Sequence, residues 1–324
     1  MDRPTTRRRL IRAADLFAGL GGATAGLEQG GAEVLVAANH WRFAVECHRL
    51  NHPRTRHELQ DLRQADFGAW PDVDLGWASP SCQGHSAAAK PARKRSGKVQ
   101  RTHDLLRATA WAVVDFAEVK RPRVLVVENV IKDGGFKNWA LYPVWCEALR
   151  RLGYHLTENI LTASRWGVPQ RRKRLFVVGC LDRPVRIQDP EVPEVPFGPC
   201  IDWDDGQWRP ITTIPEGPRR RIARARRRGR GRRFIVQNVT GHAGIGLDEP
   251  IRTITRGDQW AVVDGDRYRT LTIRENLRAM GFRDTYQVLD GARRKDVILA
   301  LGNAVPPPQA RGIFDELCAA GVLG

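Results

Sequence analysis

Apolar residues in this chain cluster into short runs, the pattern of buried strands. Residues 12–17 (RAADLF) form the first run and end in the glycine turn Gly19-Leu20-Gly21-Gly22. A short helix is predicted over 23–29, stopped by Gly30-Gly31. Further strands are predicted over 34–38, 73–78, 124–127 and 175–180. The 73–78 run ends at Ser79-Pro80, and the 124–127 run ends at Glu128-Asn129. Helices are expected over 104–119 and 139–151. Strands alternating with helices imply an α/β fold built on a mostly parallel sheet.

The alternation stops near residue 183. Residues 183–265 are rich in Pro, Gly and Arg, with strand-like fragments such as Phe234-Ile235-Val236, and predict a small, irregular second domain. Regular helix returns at 272–280, and the terminal stretch 306–320 is expected to pack on the first domain. The larger domain then comprises 1–182 and 266–324. The run Arg93 to Lys98 is expected to be a mobile loop.

Charge adds a partner. The 324 residues carry 53 Lys and Arg against 36 Asp and Glu, a net charge of +17. Such an excess implies a polyanion, and nucleic acid is the expected one. No run of about 18 apolar residues suggests a membrane span. The opening MDRPTTRRRL has no secretory pattern, so a cytoplasmic protein is expected. The six cysteines include no C-x-x-C pair, which argues against a disulfide framework or zinc ribbon. Cys47, His48, His52 and His57 match no zinc spacing and are expected on helix and loop surface, with no metal.

The glycine turn can cradle a cofactor, because glycine lets the backbone approach a ligand at a helix N-terminus. A dinucleotide site would place glycine where Thr24 stands, and an acid near Asn39-His40. Both departures argue against NAD. Cys82 lies in a polar loop just beyond a strand end, a place suited to a nucleophile. Glu128 ends a strongly apolar strand, where a carboxylate faces the ligand crevice of a parallel sheet.

Six segments in order resemble the cytosine-5 DNA methyltransferase family. They are Asp15 to Gly22 (DLFAGLGG), Ser79 to Ser86 (SPSCQGHS), Glu128-Asn129-Val130, Gln170 to Arg174 (QRRKR), Arg269 to Phe282, and Gly302 to Pro306 (GNAVP). The resemblance spans nearly the whole chain except 183–265 and is similar to phage-type and actinobacterial members. It implies a Rossmann-like S-adenosylmethionine-dependent methyltransferase sheet with a smaller recognition domain at 183–265. It also implies methyl transfer to C5 of a flipped-out cytosine in double-stranded DNA through a covalent Cys82–C6 adduct. Glu128, Arg172 and Arg174 would line the base pocket. Phe17, Gly19, Gly21, His40, Trp41, Asp61 and Asn303 would hold S-adenosylmethionine. A monomer and a role in restriction–modification are expected. Two positions depart from the family: His40 replaces an acid expected to bind the ribose, and Ser81 replaces the proline before the nucleophile. The alternatives are the tRNA-methylating branch, whose extra nucleophile-loop signature is not seen, and a DNA-binding regulator that has lost catalysis.

The arginines between Arg219 and Arg233 are dense and interrupted by Gly229 and Gly231. That spacing is too irregular for a base-reading helix and predicts phosphate contacts or charge steering rather than sequence reading, the alternative being a disordered basic loop. Trp203, Trp208 and Gln237 are further candidate contacts.

Overall fold

The predicted apolar runs become strands β1 (Arg12–Leu16), β2 (Glu33–Asn39), β3 (Arg56–Leu59), β4 (Leu75–Ala78), β5 (Val124–Asn129), β6 (His155–Thr162) and β8 (Lys173–Cys180). In the computed structural model, which describes residues 9–80, 109–131, 136–239 and 242–324, these strands form one sheet in the order β3-β2-β1-β4-β5-β8-β6. Ser81, Cys82 and the run Arg93 to Lys98 lie outside the described residues. β1, β2, β3, β4 and β5 are mutually parallel, and β8 runs antiparallel to β5. The chain moves outward from β1 in one direction, then returns to pair β4 on its other side. That reversal leaves a crevice at the carboxyl ends of the strands.

Helices α1 (Gly22–Gln29), α2 (Arg42–Asn51), α3 (Trp111–Lys120) and α4 (Tyr142–Arg151) connect these strands. The pattern predicts α1, α3 and α4 but not α2, β3 or β6, which are half-exposed and lack a continuous apolar run. Leu16, Val36, Leu125, Val127, Phe116 and Trp145 fill the core. Gly76 in β4 makes room for α3: a β-carbon there would sit 2.6 Å from the Phe116 ring.

Compactness divides the chain into Met1–Leu161, Lys173–Gln188 and Ala310–Gly324 on one side, and Thr162–Arg172 with Asp189–Gln309 on the other. Residues 266–309 therefore group with the second unit, not with the larger domain to which the sequence pattern assigns them. Strand pairing is the reason. β13 (Arg267–Thr270) lies between β12 (Trp260–Asp264) and β9 (Arg209–Pro210), and β10 (Arg233–Gln237) completes an antiparallel sheet in the order β10-β12-β13-β9. The pair β7 (Gln170–Arg171) and β11 (Ile251–Arg252) belongs to the same unit.

This second unit is more regular than its composition predicts. Residues Glu216–Arg227 form helix α5, which packs Ile222 and Ala225 against Phe234, Val236, Ala261 and Val263 of the sheet. The helix removes the disordered-loop alternative that the sequence leaves open for this arginine run. Two apolar residues spaced three apart make too faint a stripe to show through their arginine neighbours. Helix α6 (Ile273–Ala279) begins at a capping box: the Thr272 hydroxyl accepts from Glu275 N at 3.1 Å, and Glu275 accepts from Thr272 N at 2.7 Å. α7 (Arg294–Asn303) and α8 (Pro307–Ala319) end the chain.

Candidate active site

Strands β1, β2, β3 and β5 carry candidate residues at or just beyond their carboxyl ends, and β4 leads through Ser79-Pro80 toward Cys82. Phe17 follows β1, His40 and Trp41 follow β2, Asp61 follows β3, Ser79-Pro80 follow β4, and Glu128 ends β5. The register aligns these ends: Leu16 pairs with Ala38 and Ala78, Asn39 with Leu59, and Ala78 with Val127.

The glycine turn is tightly wound. Phe17, Gly19 and Gly21 have φ values of 62°, 56° and 90°. For phenylalanine that left-handed conformation costs on the order of 1–3 kcal/mol, a strain that clusters at ligand sites. Two bonds hold it: Ala18 N donates to Ala38 O, and Gly21 N donates to Ala18 O, both at 3.0 Å. Beneath the turn, Asp15 is fully buried and accepts from Thr24 N at 3.2 Å and from the Thr24 hydroxyl at 2.7 Å. Thr24, the residue that replaces a dinucleotide-type glycine, thus staples α1 to β1. Burial pushes the Asp15 carboxyl up to about 7, against the pull of its Thr24 bonds.

Trp41 is half-buried, and its backbone N–H donates to Asn39 Oδ1 at 2.9 Å. His40 is exposed. Asp61 is occupied by Arg63, whose Nε lies 3.0 Å from both carboxylate oxygens. That hydrogen bond first, with the charge of His40 as a smaller contribution, holds Asp61 below the usual carboxylate range. A half-buried Trp41, a strained glycine turn and the carboxylate just beyond β3 form a set that fits an adenosine-containing cationic cofactor.

At the other end of the crevice, Arg174 at the start of β8 crosses to the end of β5. Its Nε lies 3.1 Å from Glu128 Oε1, with both side chains largely buried. Asn129, 1% exposed, donates to Pro80 O at 3.1 Å and accepts from Val130 N. The Ser79-Pro80 end is thereby pinned to β5 where the chain enters the segment with Cys82. Glu128 and Arg174 are thus brought together.

Arg172 is used differently. It is 2% exposed and donates to Ile254 O at 3.3 Å and Gly302 O at 3.1 Å, within the second unit. Gln170 works beside it, donating to Ala279 O at 3.1 Å and accepting from Ile254 N at 2.7 Å. Together they tie the 254, 279 and 302 segments, so that Asn303 ends α7 beside an anchored backbone. The sequence offers both as part of one motif but does not reveal this clamp, because its partners are main-chain groups over 80 residues away.

The histidine cluster lies where the sequence does not predict it. Cys47, His48 and His52 are 0%, 1% and 4% exposed, so α2 turns them inward rather than to the surface. Among the described residues no group of three or more His, Cys, Asp or Glu is placed to hold a metal ion. No helix there is long and apolar enough to cross a membrane.

Residues 11–196 and 210–319 match the family described as C-5 cytosine-specific DNA methylase. The chain is 34% identical over 178 residues to the Type II methyltransferase M.HgiDI of Herpetosiphon aurantiacus, covering 52% of each protein. It therefore spans about half the length of that relative. It is 25% identical over 317 residues to the Type II methyltransferase M.NlaX of Neisseria lactamica, covering 96% of this chain and 97% of that one. Among solved structures, a putative DNA modification methyltransferase encoded in an E. coli prophage matches with a TM-score of 0.70 at 19% identity, over 95% of this chain and 99% of that one. At that identity the likeness establishes the fold.

Proposed function

Since the chain belongs to the C-5 cytosine-specific DNA methylase family, we propose that it transfers a methyl group from S-adenosylmethionine to C5 of a cytosine turned out of duplex DNA, with Cys82 as nucleophile. The observation that carries this reading is the Glu128–Arg174 pair at the sheet's carboxyl edge, beside the pinned Ser79-Pro80 end from which the Cys82 segment departs.

Cytosine C5 is a poor nucleophile. A thiolate added at C6 makes it enamine-like, which is the reason for covalent catalysis by Cys82. Negative charge then develops toward N3. Glu128 would bridge N3 and the exocyclic amine, and Arg174 would orient Glu128 while donating to the ring carbonyl. The cofactor supplies an electrophilic methyl group. Phe17, Gly19 and Gly21 would shape its cradle, Trp41 would lie along its adenine, and Asp61 would accept from the adenine amine. His40 would accept from the ribose hydroxyls, and the family resemblance adds Asn303 to the cofactor residues. Arg172 would act by positioning the Gly302-Asn303 backbone. Loss of the C5 proton then lets Cys82 leave. The target base must first leave the stack to reach the thiol. Residues 183–265 together with β13 would recognise the DNA, which the basic surface suits.

Cys82→Ala should abolish methylation while cofactor binding survives. Wild-type enzyme on duplex DNA carrying 5-fluorocytosine should form a denaturation-resistant adduct, because fluorine cannot leave as a cation. Methylation of tRNA in preference to duplex DNA would move the chain to the alternative branch. Activity of Cys82→Ala near wild type would remove the nucleophile assignment.

A further inference from the structure

Beneath the glycine turn, Asp15 is joined to the protein edge by an unbroken line of polar contacts. Its Oδ2 is 2.7 Å from the Thr24 hydroxyl. That hydroxyl is 3.0 Å from His48 Nε2. His48 Nδ1 is 2.8 Å from His57 Nε2. Asp15 and Thr24 are fully buried and His48 nearly so, whereas His57 is half-exposed on β3, the edge strand of the sheet. The other carboxylate oxygen of Asp15, Oδ1, is buried without a hydrogen-bond partner among the described residues. No cation among them is placed against this carboxylate, and the methyl-transfer chemistry leaves His48 and His57 unused.

We propose that Thr24, His48 and His57 form a proton chain that loads and unloads Asp15 from solvent, making Thr24 and His48 positioning residues that act on the cofactor turn through Asp15. The geometry allows two hydrogen-bond polarities that differ by one proton. In the unloaded state Asp15 is ionised. The Thr24 hydroxyl donates to it, His48 Nε2–H donates to that hydroxyl, and His57 Nε2–H donates to His48 Nδ1. His57 Nδ1 is then bare. Loading begins when solvent places a proton on His57 Nδ1. The Nε2 proton of His57 moves to His48 Nδ1, the Nε2 proton of His48 moves to the Thr24 oxygen, and the Thr24 proton moves to Asp15 Oδ2. Every donor and acceptor in the line has reversed, and neither imidazole has acquired net charge.

The surroundings favour the proton at Asp15 rather than on a ring. His48 faces His57 from β3 and His52 from its own helix, and His52 is committed to Glu28 of α1 at 2.8 Å. Burial first, then His52 and His57, drives His48 well below the ordinary histidine range. His57 is lowered by burial and by Arg49 and His52, with the Thr55 carbonyl opposing. Arg56 and Glu58, its neighbours on β3, bond to each other. Among the described residues Asp15 has only Thr24 to stabilise its charge and lies about 7. Near neutrality the line therefore carries one mobile proton whose resting place is the carboxyl under the turn. When it rests there, the staple to Thr24 changes from ionic to neutral and the negative charge below the cofactor turn is lost. The consequence for cofactor binding rests on the reading that this turn holds S-adenosylmethionine.

The test is nitrogen NMR of the full chain with labelled histidine, which distinguishes Nδ1–H from Nε2–H. From about pH 8.5 to 5.5, around the histidine and raised-carboxyl range, His48 and His57 should exchange tautomers together, in one step near pH 7, without forming imidazolium. Thr24→Val removes the hydroxyl but not the bulk, and should leave His48 in a single tautomer throughout. Thr24→Ser should restore the step. S-adenosylmethionine affinity, measured by calorimetry, should fall severalfold as pH drops through the same midpoint in the wild type and in Thr24→Ser. A fixed His48 tautomer in the wild type, a charged His48 ring, or an unchanged step in Thr24→Val would overturn the chain. A normal tautomer step with no cofactor binding at any pH would instead count against the cofactor reading alone.

Discussion

Two strand-end carboxylates in one sheet meet opposite surroundings. Asp15 is enclosed with a single hydroxyl and amide and is pushed up to about 7, whereas Glu128 lies against the guanidinium of Arg174. Glu128→Gln keeps the shape of the side chain but loses its charge and its proton. Turnover should fall by about 10²-fold or more, the range for a positioned acid or base, with little change in DNA affinity. Single-turnover methylation beside a DNA titration separates the two. If affinity collapses while the bound complex turns over normally, Glu128 is structural. His40 stands where the family resemblance implies an acid. His40→Glu should therefore preserve or tighten cofactor binding, and a large loss in a cofactor titration would show that the imidazole is not a ribose acceptor. Glu128 is proposed from its strand end, and Trp41 and Asp61 from motif resemblance, because both signals are local in the sequence. The sequence misses the Asp15–Thr24–His48–His57 line, since α2 carries no apolar run that shows which way its histidines turn.

At the level of elements, α5 shows how burial of two apolar residues organises a charge run. Ile222 and Ala225 face the antiparallel sheet, and Arg224 and Arg227 are exposed. Arg226 is bonded to Gly265 O at 2.6 Å, which ties the helix to the β12–β13 turn. An outer face made almost entirely of arginine offers charge without the varied acceptors and methyl contacts that distinguish bases. Arg224→Ala with Arg227→Ala should weaken binding to all duplexes alike. The slope of log affinity against log salt should shrink by about 0.9 for each phosphate that the variant no longer neutralises, and the preferred methylation site should stay the same. A weakening confined to one sequence, with an unchanged salt slope, would make α5 a base-reading helix.

The β12–β13 turn has its own electrostatic fastener. Burial pushes Asp264 up, but hydrogen bonds from Arg232, Arg267 and Arg233 outweigh it and hold the carboxyl at about 2. Because the folded value lies below the unfolded value near 3.9, the stabilisation is complete above about pH 4 and disappears as pH falls toward 2. Asp264→Asn should cost about 1–3 kcal/mol at neutral pH. The gap between wild-type and variant urea midpoints should narrow as pH is lowered from 4 to 3. A constant gap across that interval would rule out the ion-pair account.

For the molecule as a whole, the net charge of +17 should make methylation strongly dependent on ionic strength. With roughly six or more phosphates neutralised, affinity for duplex DNA should drop about 10³-fold or more between 50 and 200 mM salt. A shallow dependence in a filter-binding titration would mean that the arginines serve the fold rather than the polyanion. The sequence by itself determined the parallel sheet, the order of its motifs and the basic character. Short apolar runs, glycine punctuation and charge are properties of neighbouring residues and need no tertiary contact to be read. Only the tertiary structure decided where the second unit begins and how its arginine run folds, since strand pairs such as β9 with β13 join residues almost 60 positions apart. It also decided the difference between two arginines of one motif, Arg174 reaching Glu128 and Arg172 holding Gly302 O. Their sequence context is nearly identical, and their roles diverge because each meets different partners once the extended segment that carries them is seated in the fold.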